Sequence, residues 1–186
     1  METAGSVRSS NTDRVDAITK EWMGSRYGGL TEHEFLHEWT TPSGDWDWSK
    51  VPNDGFMAKT VGGATVAEKF EVELSPGTQI DRFGYPGGGF LSPDATPYAA
   101  RAIPPENLVP HPSSPTVVND FHPFNYYRYE VVKPFAVDAG QIAPAFEQPG
   151  AGIQYVLDGR HIPGAPARLN VQWLLDNGYL KELPSR

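Results

Sequence analysis

The chain has 186 residues and a formal net charge of −8, so we expect one domain with its own core and no face that binds nucleic acid. It contains no cysteine, which excludes disulfides, thiolate zinc sites and cysteine nucleophiles. No apolar run approaches the roughly 18 residues that a membrane-spanning helix needs, so stable membrane insertion is not expected.

Composition divides the chain into three predicted regions. Residues 1–12 are small and polar and lack the apolar segment of a signal peptide, which predicts a flexible linker or a tag remnant. Residues 13–60 predict a helical and loop subregion, and residues 61–186 a core within the same single domain. The 19 glycines and 18 prolines favour short elements joined by long ordered loops.

Two helices are predicted near the N-terminus, over Val15–Arg26 and Leu30–Trp39. Thr31 followed by Glu34 is the pattern of a capping box at the start of the second helix. The same helix contains the segment His33–His37, which matches the H-E-x-x-H zinc motif. Because the cap already explains Glu34 and no third ligand follows at the expected spacing, we expect no metal site, and a zinc hydrolase stays an alternative.

Alternation of apolar and polar residues begins near Val66 and predicts a mostly antiparallel sheet. Phe70, Val72 and Leu74 alternate with charged residues, which indicates a half-buried strand. The turn at Ser75–Gly77 predicts that this strand pairs with the next strand along the chain. Further strands and a last helix are predicted at Gln79–Phe83, Asn125–Val132, Phe135–Val137, Ile153–Tyr155 and Val171–Asn177. Two helices followed by a distorted sheet define an α+β fold.

The stretch Gln79–Pro93 is a candidate ligand site. A short strand delivers Arg82 to a glycine-rich turn in which Gly88 and Gly89 leave the backbone without Cβ atoms. An arginine fork, backbone N–H groups and the ring of Phe90 suit the diphosphate and a ring of a nucleotide. The stretch lacks the Gly-Lys-Ser/Thr of a Walker loop. An ordinary strand end with its arginine in water gives the same pattern, so spacing alone leaves both interpretations open.

Six motifs in the same order resemble one protein family. They are Asp81–Gly84, Gly88–Pro93, Ala100–Pro105, Tyr126–Val131, Ile142–Phe146 and Gln148–Tyr155. From Trp46 to the C-terminus, the chain is similar to the NAD⁺ glycohydrolase family typified by the tuberculosis necrotizing toxin, which has related surface NADases in fungi. The resemblance implies a sheet distantly like that of ADP-ribosyltransferases. It also implies hydrolysis of NAD⁺ to nicotinamide and ADP-ribose, with NAD⁺ as the substrate and no cofactor.

The resemblance assigns roles to individual residues. Gln154 matches the family's catalytic glutamine, which would hydrogen-bond the ribose hydroxyls or the attacking water. Phe90 stands where the family has an aromatic residue that would stack on the ligand, and the rival interpretation is a core phenylalanine. The substrate-binding residues that the resemblance implies are Arg82, Phe90, Arg101, Gly88 and Gly89.

One position departs from the family. The bacterial toxin has a functionally important histidine in its tyrosine-rich strand, but Asn125–Glu130 contains none. Tyr127 is the best match to that position, with Tyr126 as the alternative. A tyrosine donates a hydrogen bond but does not gain a proton near neutral pH. Either the role of the histidine is not general in the family, or this chain is slower or works differently. Tyr127 is taken with Gln154 and Arg82 as the expected catalytic set.

The resemblance also implies a biological setting. It implies a secreted toxin domain that acts in a target cell or extracellularly, with NAD⁺ and, as a second candidate, NADP⁺ as the small-molecule substrate. An immunity protein is the implied protein partner. Two rival functions stay open at this point, an ADP-ribosyltransferase and a catalytically weakened NAD-binding module.

Overall fold

The computed structural model describes residues 26–108 and 125–184. The predicted linker at residues 1–12 and nearly all of the predicted helix Val15–Arg26 lie outside the described residues. The helices are α1 (Glu32–Trp39), α2 (Tyr98–Arg101) and α3 (Val171–Asp176). The strands are β1 (Ala58–Val61), β2 (Ala64–Ala67), β3 (Phe70–Leu74), β4 (Gln79–Phe83), β5 (Phe90–Pro93), β6 (Tyr126–Val131), β7 (Phe135–Gln141), β8 (Ile153–Val156) and β9 (Leu180–Leu183). Each helix in this part of the chain is too short or too polar to cross a bilayer.

The chain forms two compact units, and each is assembled from alternating segments. The first unit comprises the segment that ends at Lys69, together with Pro97–Pro105 and Gly140–Ile153. The second unit comprises Phe70–Thr96, Glu106–Ala139 and Gln154–Arg186. The domain boundaries expected from composition stay a prediction.

The first unit begins with the capped helix that the sequence predicts. The hydroxyl of Thr31 accepts a hydrogen bond from the backbone N–H of Glu34, and the Glu34 carboxylate accepts one from the backbone N–H of Thr31. Helix α1 buries Phe35 and Trp39 in an aromatic core. Strands β1 and β2 pair as an exposed antiparallel hairpin, which the sequence analysis did not identify.

A seven-stranded sheet with the order β3-β7-β8-β5-β4-β6-β9 organises the second unit. The pairs β3–β7, β4–β5, β4–β6, β5–β8 and β6–β9 are all antiparallel. Of the expected α+β fold, the mixture of helices and strands with a mostly antiparallel sheet is confirmed, whereas the expected pair of N-terminal helices is not. One face of the sheet packs against α3, whose Val171 and Leu174 are fully buried in the same core as Ile80 and Val137. Asn170 caps α3 as predicted, since its side chain accepts from the N–H of Trp173.

The predicted partner of β3 is wrong. β3 lies at the edge of the sheet and pairs with β7, whereas β4 lies between β5 and β6. After the turn, the N–H of Gly77 donates to Val131 O and Thr78 O accepts from the N–H of Val131, so the chain joins β6 instead of folding back on β3. The strand is also more exposed than predicted, with Phe70 60% and Val72 38% exposed, as its edge position allows.

Candidate active site

The guanidinium of Arg82 holds the glycine-rich turn that follows β4. Its Nε donates to the carbonyl of Tyr85 at 2.9 Å, and its Nη1 donates to the carbonyl of Phe90 at 2.8 Å. One side chain therefore bonds to both ends of the turn. The carbonyls inside the turn are bonded as well, because Gly88 O accepts from the N–H of Val171 and Gly89 O from the N–H of Leu157. The turn is thus fixed before any ligand arrives.

Because the glycines of this turn carry no Cβ atoms, the side chains of Arg82 and Tyr85 can pack directly against its backbone. A Cβ at Gly88 would lie 1.9 Å from Nη2 of Arg82, and a Cβ at Gly84 would lie 2.8 Å from the same atom. A Cβ at Gly87 would lie 2.1 Å from Cε2 of Tyr85. The backbone of the turn therefore runs directly against the arginine and a tyrosine ring, which only glycine permits without a displacement.

Two half-exposed aromatic rings stand at the ends of the same turn. Tyr85 is 46% and Phe90 47% exposed. Phe90 is therefore not the core residue that the rival interpretation expected, and its ring is accessible for stacking. Tyr85 was missed by sequence reasoning, although its place between Arg82 and the glycines was a usable signal. Among the predicted site residues, this turn is the segment best suited to contact a ligand, because hydrogen bonds hold Arg82 in place and the rings of Tyr85 and Phe90 are accessible.

The sheet pairs Arg82 with Tyr127. The two residues are direct register partners on β4 and β6, so their side chains lie on the same face. Tyr127 is only 6% exposed and belongs to the hydrophobic core, with its ring 6.5 Å from that of Tyr129. Phe90 opposes Val156, which alternation places on the same face as Gln154. Gln154 is 7% exposed and lies on the Phe90 face of the sheet, whereas Arg82 and Tyr127 lie on the other face, because Asp81 opposes Ser92 across β4 and β5.

Arg101 lies in the first unit, at the end of the short helix α2, and is 5% exposed. Ala102 follows it in the left-handed conformation, with a φ of 48°, and ends the helix. The carbonyls of Ala99 and Ala100 accept hydrogen bonds from the N–H groups of Gly150 and Gly152, both at 3.0 Å. The helix that carries Arg101 is therefore bonded to the glycine-containing segment that precedes Gln154.

The segment that matches H-E-x-x-H lies at the start of α1, where its glutamate takes part in the capping box. Glu34 is bonded to Thr31, and His33 and His37 are exposed on α1. In the part of the chain that the structure describes, the cluster with metal-ligand geometry is instead Asp138, Asp158 and His161, whose ligand atoms lie within 4.8 Å of one another. Its histidine already pairs with a carboxylate, because Nε2 lies 2.9 Å from Oδ1 of Asp138. The geometry on α1 gives no support to the zinc-hydrolase alternative.

Sequence reasoning also missed the role of Asp81 in the Asp-Arg-Phe-Gly motif. Asp81 is fully buried, and its Oδ2 accepts from the hydroxyl of Tyr126 at 2.5 Å and from the N–H of Ala95 at 2.8 Å. This buried carboxylate joins β4 to β6 and to the loop after β5. It therefore fixes the strand from which Arg82 reaches the turn.

Comparison with known proteins places the chain in a family. Residues 73–183 match the family described as tuberculosis necrotizing toxin. The chain is 37% identical over 167 residues to the conidial surface nicotinamide adenine dinucleotide glycohydrolase of Aspergillus fumigatus, which covers 86% of this chain and 60% of that protein. The chain thus spans about three fifths of the length of the curated relative that it matches. Its fold is similar to that of the tuberculosis necrotizing toxin solved with its immunity factor IFT, with a TM-score of 0.59, 18% identity, and coverage of 91% of this chain and 84% of that one. The chain belongs to the tuberculosis necrotizing toxin family.

Proposed function

We propose that this chain hydrolyses NAD⁺ to nicotinamide and ADP-ribose. The observation that carries the proposal is the 37% identity, over 86% of the chain, to a protein named as a nicotinamide adenine dinucleotide glycohydrolase. The turn held by Arg82 supports it independently, because a fixed arginine, a bare backbone and accessible rings are what a dinucleotide needs from a binding surface.

The reaction breaks the bond between the anomeric carbon of the ribose and the nicotinamide nitrogen. The electron pair of that bond leaves with nicotinamide and neutralises its positive charge, so departure needs no general acid. Water then adds its oxygen to the oxocarbenium-like carbon and releases one proton to solvent. The enzyme has to hold the diphosphate, fix the ribose and place the water. This scheme uses no cofactor and no metal.

Substrate binding is assigned to the glycine turn and to two arginines. Arg82 and the backbone at Gly88 and Gly89 would bind the diphosphate, with the Gly88 N–H giving up its 3.3 Å bond to the Tyr85 carbonyl. The half-exposed ring of Phe90 would stack on a ring of NAD⁺. Arg101 is assigned a share of the diphosphate on motif likeness alone. Its burial at the end of α2 supports a fixed position for its charge.

Catalysis is assigned to Gln154 and Tyr127, with Arg82. A glutamine does not titrate, so Gln154 would act by hydrogen-bonding the ribose hydroxyls or the water. Its burial on β8 supports a fixed amide orientation. Tyr127 would donate a hydrogen bond from the face that it shares with Arg82, which is the opposite face of the sheet from Gln154. The burial of Tyr127 in the hydrophobic core would fix the orientation of its ring.

The setting of the reaction is also a proposal. We assign the chain to a secreted protein that acts in a target cell or extracellularly, with NADP⁺ as a second candidate substrate and an immunity protein as a partner. The support is a relative named for the conidial surface and a toxin solved with its immunity factor. The proposed likeness of the sheet to that of ADP-ribosyltransferases rests on the family resemblance alone.

The deciding experiment follows nicotinamide release from NAD⁺ by the purified chain and by Gln154→Ala, with NAD⁺ binding measured in parallel by calorimetry. The matched control is Gln172→Ala, since that exposed amide bonds only Asp176 within its own helix among the contacts described. We expect turnover in the parent and the control, and a loss on the order of 100-fold or more in Gln154→Ala with binding retained. Binding without turnover in the parent would identify a weakened NAD-binding module, and ADP-ribose left on protein would identify a transferase.

A further inference from the structure

The ring of Phe146 is enclosed by three tryptophans of the first unit. Its centroid lies 4.7 Å from that of Trp39, 5.8 Å from that of Trp46 and 5.6 Å from that of Trp48. The last two contacts are edge-to-face, with interplanar angles of 86° and 77°. Phe146 is fully buried, and Phe35 extends the cluster beneath Trp46 at 6.2 Å. We call Trp39, Trp46 and Trp48 the tryptophan cage.

The tryptophan cage holds a strained backbone. Phe146 and its neighbour Glu147 both have positive φ, 50° and 55°, a conformation that costs a residue other than glycine about 1 kcal/mol or more. Trp39 contributes a second contact, because its indole N–H donates to the Glu147 carboxylate at 3.2 Å. Gly28 also packs closely against Glu147, since a Cβ at Gly28 would lie 2.3 Å from the Glu147 carbonyl oxygen. These contacts help to hold the two consecutive residues in the left-handed conformation.

The strained pair determines where the following segment runs. Ala145 and Gln148 exchange backbone hydrogen bonds and close a tight turn around Phe146 and Glu147. The chain then continues to Gly150 and Gly152, whose N–H groups bond the carbonyls of α2, the helix that ends at Arg101. Gln154 follows on β8. The segment that follows Phe146 is therefore joined to the helix of Arg101 by backbone hydrogen bonds and to Gln154 by the continuing chain.

We infer that Phe146 is a positioning residue for NAD⁺ hydrolysis, acting through the segment that precedes Gln154 and through the helix that carries Arg101. The inference rests on the proposed function. It implies that the tryptophan cage, which precedes the residues 73–183 that match the family, is needed for full activity. A displacement of about 1 Å in reacting groups is enough to cost on the order of 100-fold in rate, so loosening of the cage should reach the chemistry.

The test compares Phe146→Leu with Phe135→Leu. Phe135 is an equally buried aromatic, 4% exposed and in edge-to-face contact with Tyr179 at 6.1 Å, but it lies in the core of the second unit. Phe146→Leu loses contacts with three tryptophan rings and Phe135→Leu loses one contact with a tyrosine ring, so both should lower Tm, and Phe146→Leu by more. At a temperature where both are folded, we expect Phe146→Leu to lower kcat on the order of 10- to 100-fold and Phe135→Leu to leave it within about twofold. Equal kcat in the two variants would overturn the inference.

A second readout does not depend on turnover. Hydrogen exchange at the amides of Gly150 and Gly152 should become about tenfold faster in Phe146→Leu and stay unchanged in Phe135→Leu. If the parent does not hydrolyse NAD⁺ but the exchange result holds, the proposed function fails, and what stands is that Phe146 fixes the segment that contains Gly150 and Gly152. If the parent is active and exchange is unchanged, the positioning role fails alone. Should Phe146→Leu not fold, Trp39→Phe keeps a ring, removes the donor to Glu147 and is judged by the same two readouts.

Discussion

Arg82 occupies the space that a side chain at position 88 would need. A Cβ at Gly88 would lie 1.9 Å from Nη2 and 2.3 Å from Cζ of Arg82, and the same guanidinium donates to both ends of the turn. Arg82 is therefore a structural part of the turn as well as a proposed phosphate ligand. The absence of a side chain at Gly88 is therefore what allows Arg82 to hold the turn.

Gly88→Ala should consequently behave like the loss of Arg82. The methyl group would push the guanidinium off the Tyr85 and Phe90 carbonyls, which costs about 1–3 kcal/mol of stability and on the order of 10- to 100-fold in kcat/KM. In an Arg82→Ala background, Gly88→Ala should add almost nothing, which a double-mutant cycle with denaturation and kinetics measures. The control is Gly87→Ala, whose Cβ would lie 2.1 Å from the ring of Tyr85 instead of against Arg82, so its effect on stability should add to that of Arg82→Ala. Additive effects of Gly88→Ala and Arg82→Ala would contradict the coupling.

The parts of the fold that the sequence predicts are those with a local signal. The capping box of Thr31 and Glu34 and the cap of α3 by Asn170 depend on residues three positions apart, and both form as predicted. Gln79–Phe83 and Ile153 onward are strands where alternation and flanking glycines indicate them. For the site, the sequence predicts that Arg82 reaches the glycine turn. It does not decide whether the ring of Phe90 stacks on a ligand or belongs to the core.

The parts that could not be predicted depend on contacts distant in sequence. The turn at Ser75–Gly77 suits a hairpin, yet β3 pairs with β7 because residues 77 and 78 bond β6. The alternation in β3 carries no information on whether anything covers the strand. Likewise, the tryptophan cage closes on Phe146 across about a hundred residues of chain, and no spacing rule links those positions. Only the folded chain shows these pairings.

Two buried tyrosines on β6 should respond oppositely to loss of the hydroxyl. Tyr126 donates to the buried carboxylate of Asp81, whereas the hydroxyl of Tyr129 is buried without a hydrogen-bond partner among the described residues. Tyr126→Phe should lower the free energy of unfolding by about 1–3 kcal/mol, because a buried carboxylate loses a donor. Tyr129→Phe should be neutral or stabilising, since it removes an unpaired polar atom. Chemical denaturation of the two variants checks this, and an equal loss in both would be evidence against it.

The carboxyl group of Asp158 should titrate far below its usual range. The side-chain hydrogen bond from Arg160, helped by the Arg160 backbone N–H, lowers the pKa of Asp158 from 3.8 to about 2. Because the folded-state pKa is depressed, the stabilisation is present above the unfolded value of about 3.9 and is lost as the pH falls through about 2. Arg160→Gln should raise the midpoint partway toward 3.8, and added salt should act in the same direction. Carboxyl NMR titration measures it, with the exposed Arg168→Gln as a control that leaves the midpoint in place.

The hydroxyl of Tyr127 can be separated from its ring. Tyr127→Phe keeps the ring that stacks beside Tyr129 and removes only the proposed donor on the Arg82 face, so the free energy of unfolding should change by less than about 1.5 kcal/mol. If the hydroxyl stabilises the transition state, kcat should fall about tenfold or more while the KM for NAD⁺ stays nearly constant. Steady-state nicotinamide release gives both constants, and Tyr155→Phe, on β8 and with its burial raising the pKa of its phenol, controls for loss of a partly buried hydroxyl. An unchanged kcat in Tyr127→Phe would leave Tyr127 as a core residue and reduce the catalytic set to Gln154 and Arg82.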